Sequence, residues 1–323
     1  MNYKEFVDRI CFDLQDTLWN EHYKDVLVEA GQVNKLQGEG YYGVTIRQIG
    51  SDMGVSMNLN EVFLAYEGGK DYKEIVSKVA EEAVAALDNR PSIQTDMLMD
   101  YEQVRDKIMI QVVPTEANRE MLKGIPHKEH GDISIVYRII LDVSERGEST
   151  VLVNNDLLGH YGITKDKLHE DALANAPKSF PSSLRSMKEV MADIMGIPVE
   201  MMPDSPEDMF VATCNDGSHG AGCIFYPDFL KDASERLGGD FFVLPSSVHE
   251  VLLLADDGNR SYRDLERMVK EINQGEVAPQ DRLSDSVYRF DAKKQLLEKA
   301  EDYQKRVQDE QKHKSHKSRD DAR

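Results

Sequence analysis

The feature that most constrains the fold is a recurring unit in which two β-type apolar runs, joined by a turn, lead into an amphipathic helix. The first unit has its apolar runs at residues 25–33 and 41–49, and its helical apolar stripe lies at residues 70–87. Strand pairs that each feed a helix are typical of antiparallel sheets covered by helices. The sequence therefore predicts an α+β fold built from antiparallel sheets.

An internal similarity supports the same fold class. The segment "NEVFLAY" at residues 60–66 is similar to "NDLLGHY" at residues 155–161, and each is followed by a Lys-Asp pair at the same offset of 95 residues. Both copies are predicted as strand, short helix, loop and longer helix. The matched residues are few, so a true repeat and a chance similarity both stay open.

Composition changes along the chain suggest three parts. Pro91 in "DNRPS" breaks a helical segment and predicts an N-terminal α+β unit at residues 1–92. The main α+β domain is predicted at residues 93–291, with a possible sub-boundary in the Pro- and Met-rich connector at 197–207. A tail follows at residues 292–323.

The tail is predicted to be a helix that ends in a disordered basic segment. A helix from about Ala292 to about Lys312 would align four apolar residues, Leu296, Ala300, Tyr303 and Val307. Beyond Val307 the chain has no apolar residue except Ala322, so nothing there offsets the entropy cost of ordering.

The charge balance excludes some partners. The formal net charge is -20; without residues 311–323 the chain has 34 basic and 57 acidic residues, a net of -23. Such a surface repels phosphates, so direct nucleic-acid binding is not expected. The same charge leaves open a protein that mimics a nucleic acid toward a basic partner.

The remaining composition predicts a cytoplasmic protein. Three cysteines, without an N-terminal apolar leader, are typical of reduced thiols in a cytosol. No apolar run approaches the roughly 18 residues of a membrane span.

Three stretches carry a family resemblance: "KGIPHKEHGDISIVYRIIL", "GAGCIFYPDFLKDASERLGGDFFVLPSSVHEVLLLADD" and "LSDSVYRFD". In this order they resemble domain-of-unknown-function family 5688, from the first strands to Asp291. The resemblance implies a cytosolic protein of a gut bacterium. It implies no reaction, cofactor or site residue.

One candidate site lies in "LPSSVHEVLLLADD", where Ser246 and Ser247 precede His249. Ser247 and His249 share a face if residues 248–255 form a strand, but Glu250 then points away from His249. No Gly-x-Ser-x-Gly elbow is present. A turn between two strands is favoured over a nucleophile with its base.

A second candidate is "CNDGSHGAGC", which spaces Cys214, His219 and Cys223 as C-x4-H-x3-C. Zinc sites usually combine four ligands with close Cys pairs, which this segment lacks. A hairpin between strands "MFVATC" and "CIFY" is favoured, and no metal or other cofactor is expected.

A third candidate is "PHKEH", with His127 and His130 on either side of Glu129. The spacing matches neither zinc-protease motif, so a polar loop before a strand is favoured over a catalytic role.

A methionine stripe runs through Met187, Met191 and Met195. Methionine surfaces adapt to different partners, but a helix that faces the core is the favoured interpretation.

These patterns favour a non-catalytic binding protein, a regulatory or accessory factor with a protein partner. The alternative is a hydrolase or metal-assisted enzyme that uses the loops around His127, His219 and His249. The relative placement of these loops in space separates the two hypotheses.

Overall fold

The computed structural model describes residues 1–20, 23–36, 38–50, 54–88, 95–144, 147–203, 209–214 and 219–320. The chain forms two compact units, Met1–Ile93 and Gln94–Arg323. Both combine helices with antiparallel sheets, so the α+β class is confirmed. Among the described residues, no helix combines the length and apolar character that crossing a bilayer requires.

The N-terminal unit is a three-stranded antiparallel sheet packed against helices. Its elements are α1 (Tyr3–Asn20), β1 (Val26–Lys35), β2 (Gly38–Gln48), β3 (Gly54–Met57), α2 (Asn60–Glu67) and α3 (Tyr72–Asp88). Helix α1 buries the residues of its apolar stripe, which are Phe6, Ile10, Leu14 and Leu18. Each such side chain contributes about 1.5–3 kcal/mol when it is fully buried. The stripe thus holds α1 on the sheet.

The two similar segments adopt similar local structures. Residues 60–66 lie in α2, which precedes the longer α3, and residues 155–161 form the short helix α7 (Asn155–Tyr161) before the longer α8 (Lys165–Ser179). A strand precedes the short helix in each case. The order strand, short helix, longer helix therefore occurs in both units.

The C-terminal unit contains two sheets. The first half supplies α4 (Thr95–Met99), α5 (Tyr101–Val104), β4 (Ile108–Pro114), α6 (Arg119–Leu122), β5 (His127–His130), β6 (Ile133–Ser144) and β7 (Gly147–Leu152). After α8 come β8 (Ser182–Ser186), α9 (Met187–Met195), β9 (Met209–Cys214), α10 (Phe229–Leu237), β10 (Phe241–Leu244) and β11 (Glu250–Ala255). The last elements are α11 (Tyr262–Gly275), β12 (Tyr288–Asp291), β13 (Leu296–Lys299) and α12 (Ala300–Asp320).

Strand β6 is the centre of the four-stranded sheet and pairs with β4, β5 and β7. The six-stranded sheet has the order β13-β12-β10-β11-β9-β8, with every pairing antiparallel. The motif that contains Ser246 and His249 joins β10 to β11, whose register pairs Phe241 with Ala255. The predicted turn between two buried strands is therefore observed.

Two predicted elements in the C-terminal unit were wrong. The segment "CIFY" is part of a 3₁₀ helix, Gly220–Phe225, and not a strand that pairs with β9. Gly220, the first residue of this helix, is closely packed, because a Cβ there would lie 2.6 Å from the carbonyl oxygen of His249. The segment "HKEH" is not a loop but strand β5. Its backbone pairs with β6 in an antiparallel register.

The tail helix begins later than predicted. Leu296 lies in β13 and is exposed, whereas α12 begins at Ala300, which is buried against the six-stranded sheet. The hairpin β12–β13 uses residues 288–299, so the first part of the predicted helix is strand. Helix α12 also continues past Lys312 to Asp320. Disorder of the basic end stays a prediction.

Candidate functional site

Two of the three candidate loops meet around His219 and His249. Their rings lie 5.6 Å apart between centroids and are tilted by 33°. His219 begins the 3₁₀ helix in a left-handed conformation, with φ of 52°, which is unfavourable for a residue other than glycine. Such strain occurs often at functional sites. The hydrogen bonds of each ring nitrogen determine what the two histidines can do chemically.

A chain of hydrogen bonds fixes the role of His219. The guanidinium of Arg138 donates to Oε1 of the buried Gln111 at 3.2 Å. Because arginine has no acceptor, the amide nitrogen of Gln111 must face the other way, toward Nδ1 of His219 at 3.2 Å. Nδ1 of His219 is thus a hydrogen-bond acceptor and holds no proton.

The imidazole of His249 has a partner at each nitrogen. Nδ1 accepts the backbone N–H of His219 at 3.3 Å, and Nε2 lies 3.3 Å from a carboxylate oxygen of Asp281. The hydroxyl of Ser247 accepts the backbone N–H of His249 at 3.1 Å instead of contacting the ring. His249 therefore accepts a hydrogen bond at Nδ1 and lies beside the Asp281 carboxylate with Nε2, and so it ties two turns together. It is not arranged as the base of a Ser247 nucleophile.

The cysteines of the second candidate are packed in the interior. The Cys214 thiol lies 3.4 Å from the hydroxyl of Tyr226, and Cys223 is fully buried. Burial and the neighbouring Cys214 raise the pKa of Cys223 well above its usual value, which disfavours the thiolate that a zinc ion requires. Within the described residues, no three or more His, Cys, Asp or Glu side chains are placed to share a metal ion.

The third loop makes its contacts elsewhere. His127 in β5 hydrogen-bonds through Nδ1 to the carbonyl of Ile125 at 3.0 Å. His130 stacks on Tyr288, with ring centroids 5.7 Å apart, and its edge meets Phe225. Burial lowers the pKa of His130, so the ring is neutral and packs as an aromatic group.

A polar cluster that sequence reasoning missed surrounds Asp132, at the turn between β5 and β6. One carboxylate oxygen accepts the Tyr288 hydroxyl at 2.6 Å. The other accepts the hydroxyls of Ser284 at 2.9 Å and Ser286 at 2.7 Å, and the ammonium of Lys299 lies 3.2 Å from it. Asp132 therefore joins the four-stranded sheet to β12 and β13 of the six-stranded sheet.

Charge and burial both act on this cluster. Burial alone raises the pKa of Asp132, but the hydrogen bonds from Tyr288, Ser286 and Ser284 and the charge of Lys299 together hold it below its ordinary value. Burial and the carboxylate raise the pKa of Tyr288, which stays a donor. The Asp132 carboxylate has several partners, which together hold the two sheets in contact. Its only sequence signal is that "HGD" and "SDSVY" both lie in the stretches that carry the family resemblance.

A buried charge, that of Arg289, holds the last helix. Arg289 in β12 donates to Asp256 at 2.8 Å and to Asp240 at 2.7 Å. Its guanidinium lies 3.9 Å from the ring centroid of Tyr303 in α12. This cation–π contact, with the buried Ala300, fixes the first turns of α12 on the sheet.

The methionine stripe does not face the core as expected. Met191 is 45% exposed, Ile194 80% and Met195 60%, and Met201, just after the helix, is 72% exposed. We call these four residues the methionine face. Helix α9 buries Ala192 instead, so the apolar stripe points outward.

The sequence forms this helix firmly. Ser186 and Glu189 make a capping box at its start, and Gly196 ends it with a left-handed φ of 65°. Both carboxylates of α9 form ion pairs: Asp193 pairs with Arg185, and Glu189 pairs with Arg236. The methionine face is thus a rigid apolar surface with locally neutralised charge beside it.

The chain belongs to a family of unknown function, DUF5688, whose model matches residues 3–292. No curated protein and no solved structure matches the chain. The family membership carries no reaction, so function has to be argued from the groups above.

Gly131 provides a test of the Asp132 cluster. Its φ is 64°, and a Cβ there would lie 2.4 Å from the Tyr288 hydroxyl. Gly162 has the same φ but open space around it, so it is a matched control. We expect Gly131→Ala to lower the free energy of unfolding by about 1–3 kcal/mol more than Gly162→Ala, because overpacking adds to the backbone cost. Denaturant unfolding followed by circular dichroism measures both; equal losses would contradict the close contact.

The lowered pKa of Asp132 predicts a pH dependence. A carboxyl group with a depressed folded-state pKa stabilises the fold above its unfolded pKa of about 4, and this is lost as the pH falls through the folded value. Asp132→Asn should therefore lower the free energy of unfolding by roughly 1–3 kcal/mol at pH 7. The difference in this free energy between the variant and the wild type should become smaller below pH 4. Glu170→Gln, at an exposed site on α8, should show no such difference. A difference for Asp132→Asn that stays constant with pH would refute the ionised cluster.

Proposed function

We propose that the protein is a non-catalytic binding protein, a regulatory or accessory factor that engages a protein partner through the methionine face. The observation that carries this proposal is the exposure of Met191, Ile194, Met195 and Met201 on a capped helix and the turn after it. Clusters of exposed apolar side chains often mark interaction sites. Methionine suits such a site because its flexible, polarisable side chain adapts to different surfaces.

The histidine groups support the same proposal. In the described contacts, His130 and His249 use their rings for packing or for hydrogen bonds within the fold. Asp132 is similarly occupied by three hydroxyl groups. These polar residues were candidates for catalysis, but their contacts within the fold account for their presence.

A second candidate function is hydrolysis at the group formed by His219, His249 and Asp281. The left-handed conformation of His219 favours it, since strain accumulates at active sites. The placement of the Ser247 hydroxyl on a backbone N–H argues against it. Labelling of Ser247 by a fluorophosphonate would favour this candidate over binding.

We also propose a cytoplasmic location in a gut bacterium. The location is supported by Cys11, Cys214 and Cys223, which form no disulfide and are typical of a reducing compartment. The source is supported by the family resemblance.

Site-specific crosslinking in the cells that make the protein tests the binding function. A photoreactive benzoylphenylalanine at position 195 should capture one dominant protein. The same residue at position 99 is the matched control, because Met99 is 48% exposed but lies on α4. Identical or absent crosslinks at the two positions would contradict a partner on the methionine face.

A further inference from the structure

The methionine face lies in an unusual stretch of sequence. Residues 187–208 contain five of the 14 methionines of the chain, six acidic residues and a single basic one, Lys188. The stretch therefore combines adaptable apolar side chains with a net charge of -5. This combination constrains what can cover the face.

Most of the acidic excess follows α9 in sequence. Asp193 and Glu189 are in ion pairs with Arg185 and Arg236, so the side of α9 is close to neutral. Glu200, next to Met201, is exposed, and residues 200–208 have four acidic side chains and no basic one. The methionine face therefore has one exposed carboxylate beside Met201, and the sequence that follows α9 is acidic.

Charge decides between the possible occupants. A second copy would bring its own net charge of -20 and the same acidic stretch, and like charges across an interface are unfavourable. Nucleic acids and acidic peptides are repelled for the same reason. A basic partner, in contrast, is attracted by the same negative charge.

Shape points to a helix. Met191, Ile194 and Met195 lie on one side of a helix about 13 Å long, with Met201 beyond its end. An amphipathic helix presents apolar residues at i, i+3, i+4 and i+7 to such a surface. We infer that the methionine face binds a basic amphipathic helix of a partner protein, an inference that rests on the proposed binding function. The small surface implies weak binding, which salt weakens further.

The test uses the full-length protein and a fluorescent 18-residue peptide of leucine and lysine with an amphipathic helical pattern. Fluorescence anisotropy should show binding that weakens as salt is raised, and a scrambled peptide of the same composition should bind poorly. The double variant Met191→Gln, Met195→Gln should lose about tenfold in affinity, whereas Met99→Gln should lose none. Both variants change exposed side chains, and unchanged melting curves verify that they fold.

Other results would overturn the inference in distinguishable ways. Equal binding of a leucine–glutamate peptide, if the double variant abolishes it, would refute the basic partner but leave the binding function standing. A dimer in sedimentation velocity that the double variant dissociates would identify a second copy as the occupant. Peptide binding that is equally reduced by Met99→Gln, together with absent crosslinks at position 195, would refute both the inference and the proposed function.

Discussion

The half-buried carboxylate of Asp132 makes the interactions on which the arrangement of the C-terminal unit depends. It accepts hydrogen bonds from Tyr288, Ser284 and Ser286 and lies beside Lys299, so the turn of one sheet is fastened to two strands of the other. Removing one partner of such a cluster leaves a half-buried charge with fewer hydrogen bonds, which destabilises the junction between the sheets. Gly131 is required there because a side chain would collide with Tyr288. His130 stacks on the same tyrosine, which explains a histidine that could otherwise be assigned to catalysis.

The same reasoning extends to the other polar groups. His249 joins two turns through His219 and Asp281, and Arg289 holds α12 through Asp240, Asp256 and Tyr303. Each group stabilises a junction between elements. The methionine face is different, because its exposed apolar side chains are left without a role in the fold. This contrast is the physical basis for proposing binding instead of catalysis.

Local patterns in the sequence predicted much of the fold. The stripe of α1, the strands β10 and β11 and the turn before His249 follow from periodicity and turn residues alone. The Asp132 cluster could not be predicted, because Ser284 is 152 residues away in sequence and no periodicity relates the two. The stripe of α9 was recognised but assigned to the wrong side, since periodicity shows which residues share a face and not what covers it. The segment "CIFY" was misassigned because its β-type composition is typical of a strand, whereas Cys223–Phe225 lie in a 3₁₀ helix, and β propensity depends on context.

Solvent accessibility of individual methionines tests the central claim most directly. In methyl NMR of protein labelled at methionine, a soluble paramagnetic agent should strongly broaden the signals of Met191, Met195 and Met201, which are exposed. Met109, buried in β4, should be protected. Protection of Met191 and Met195 to the same degree as Met109 would show that the face is covered within the folded protein, and would contradict a surface available to a partner.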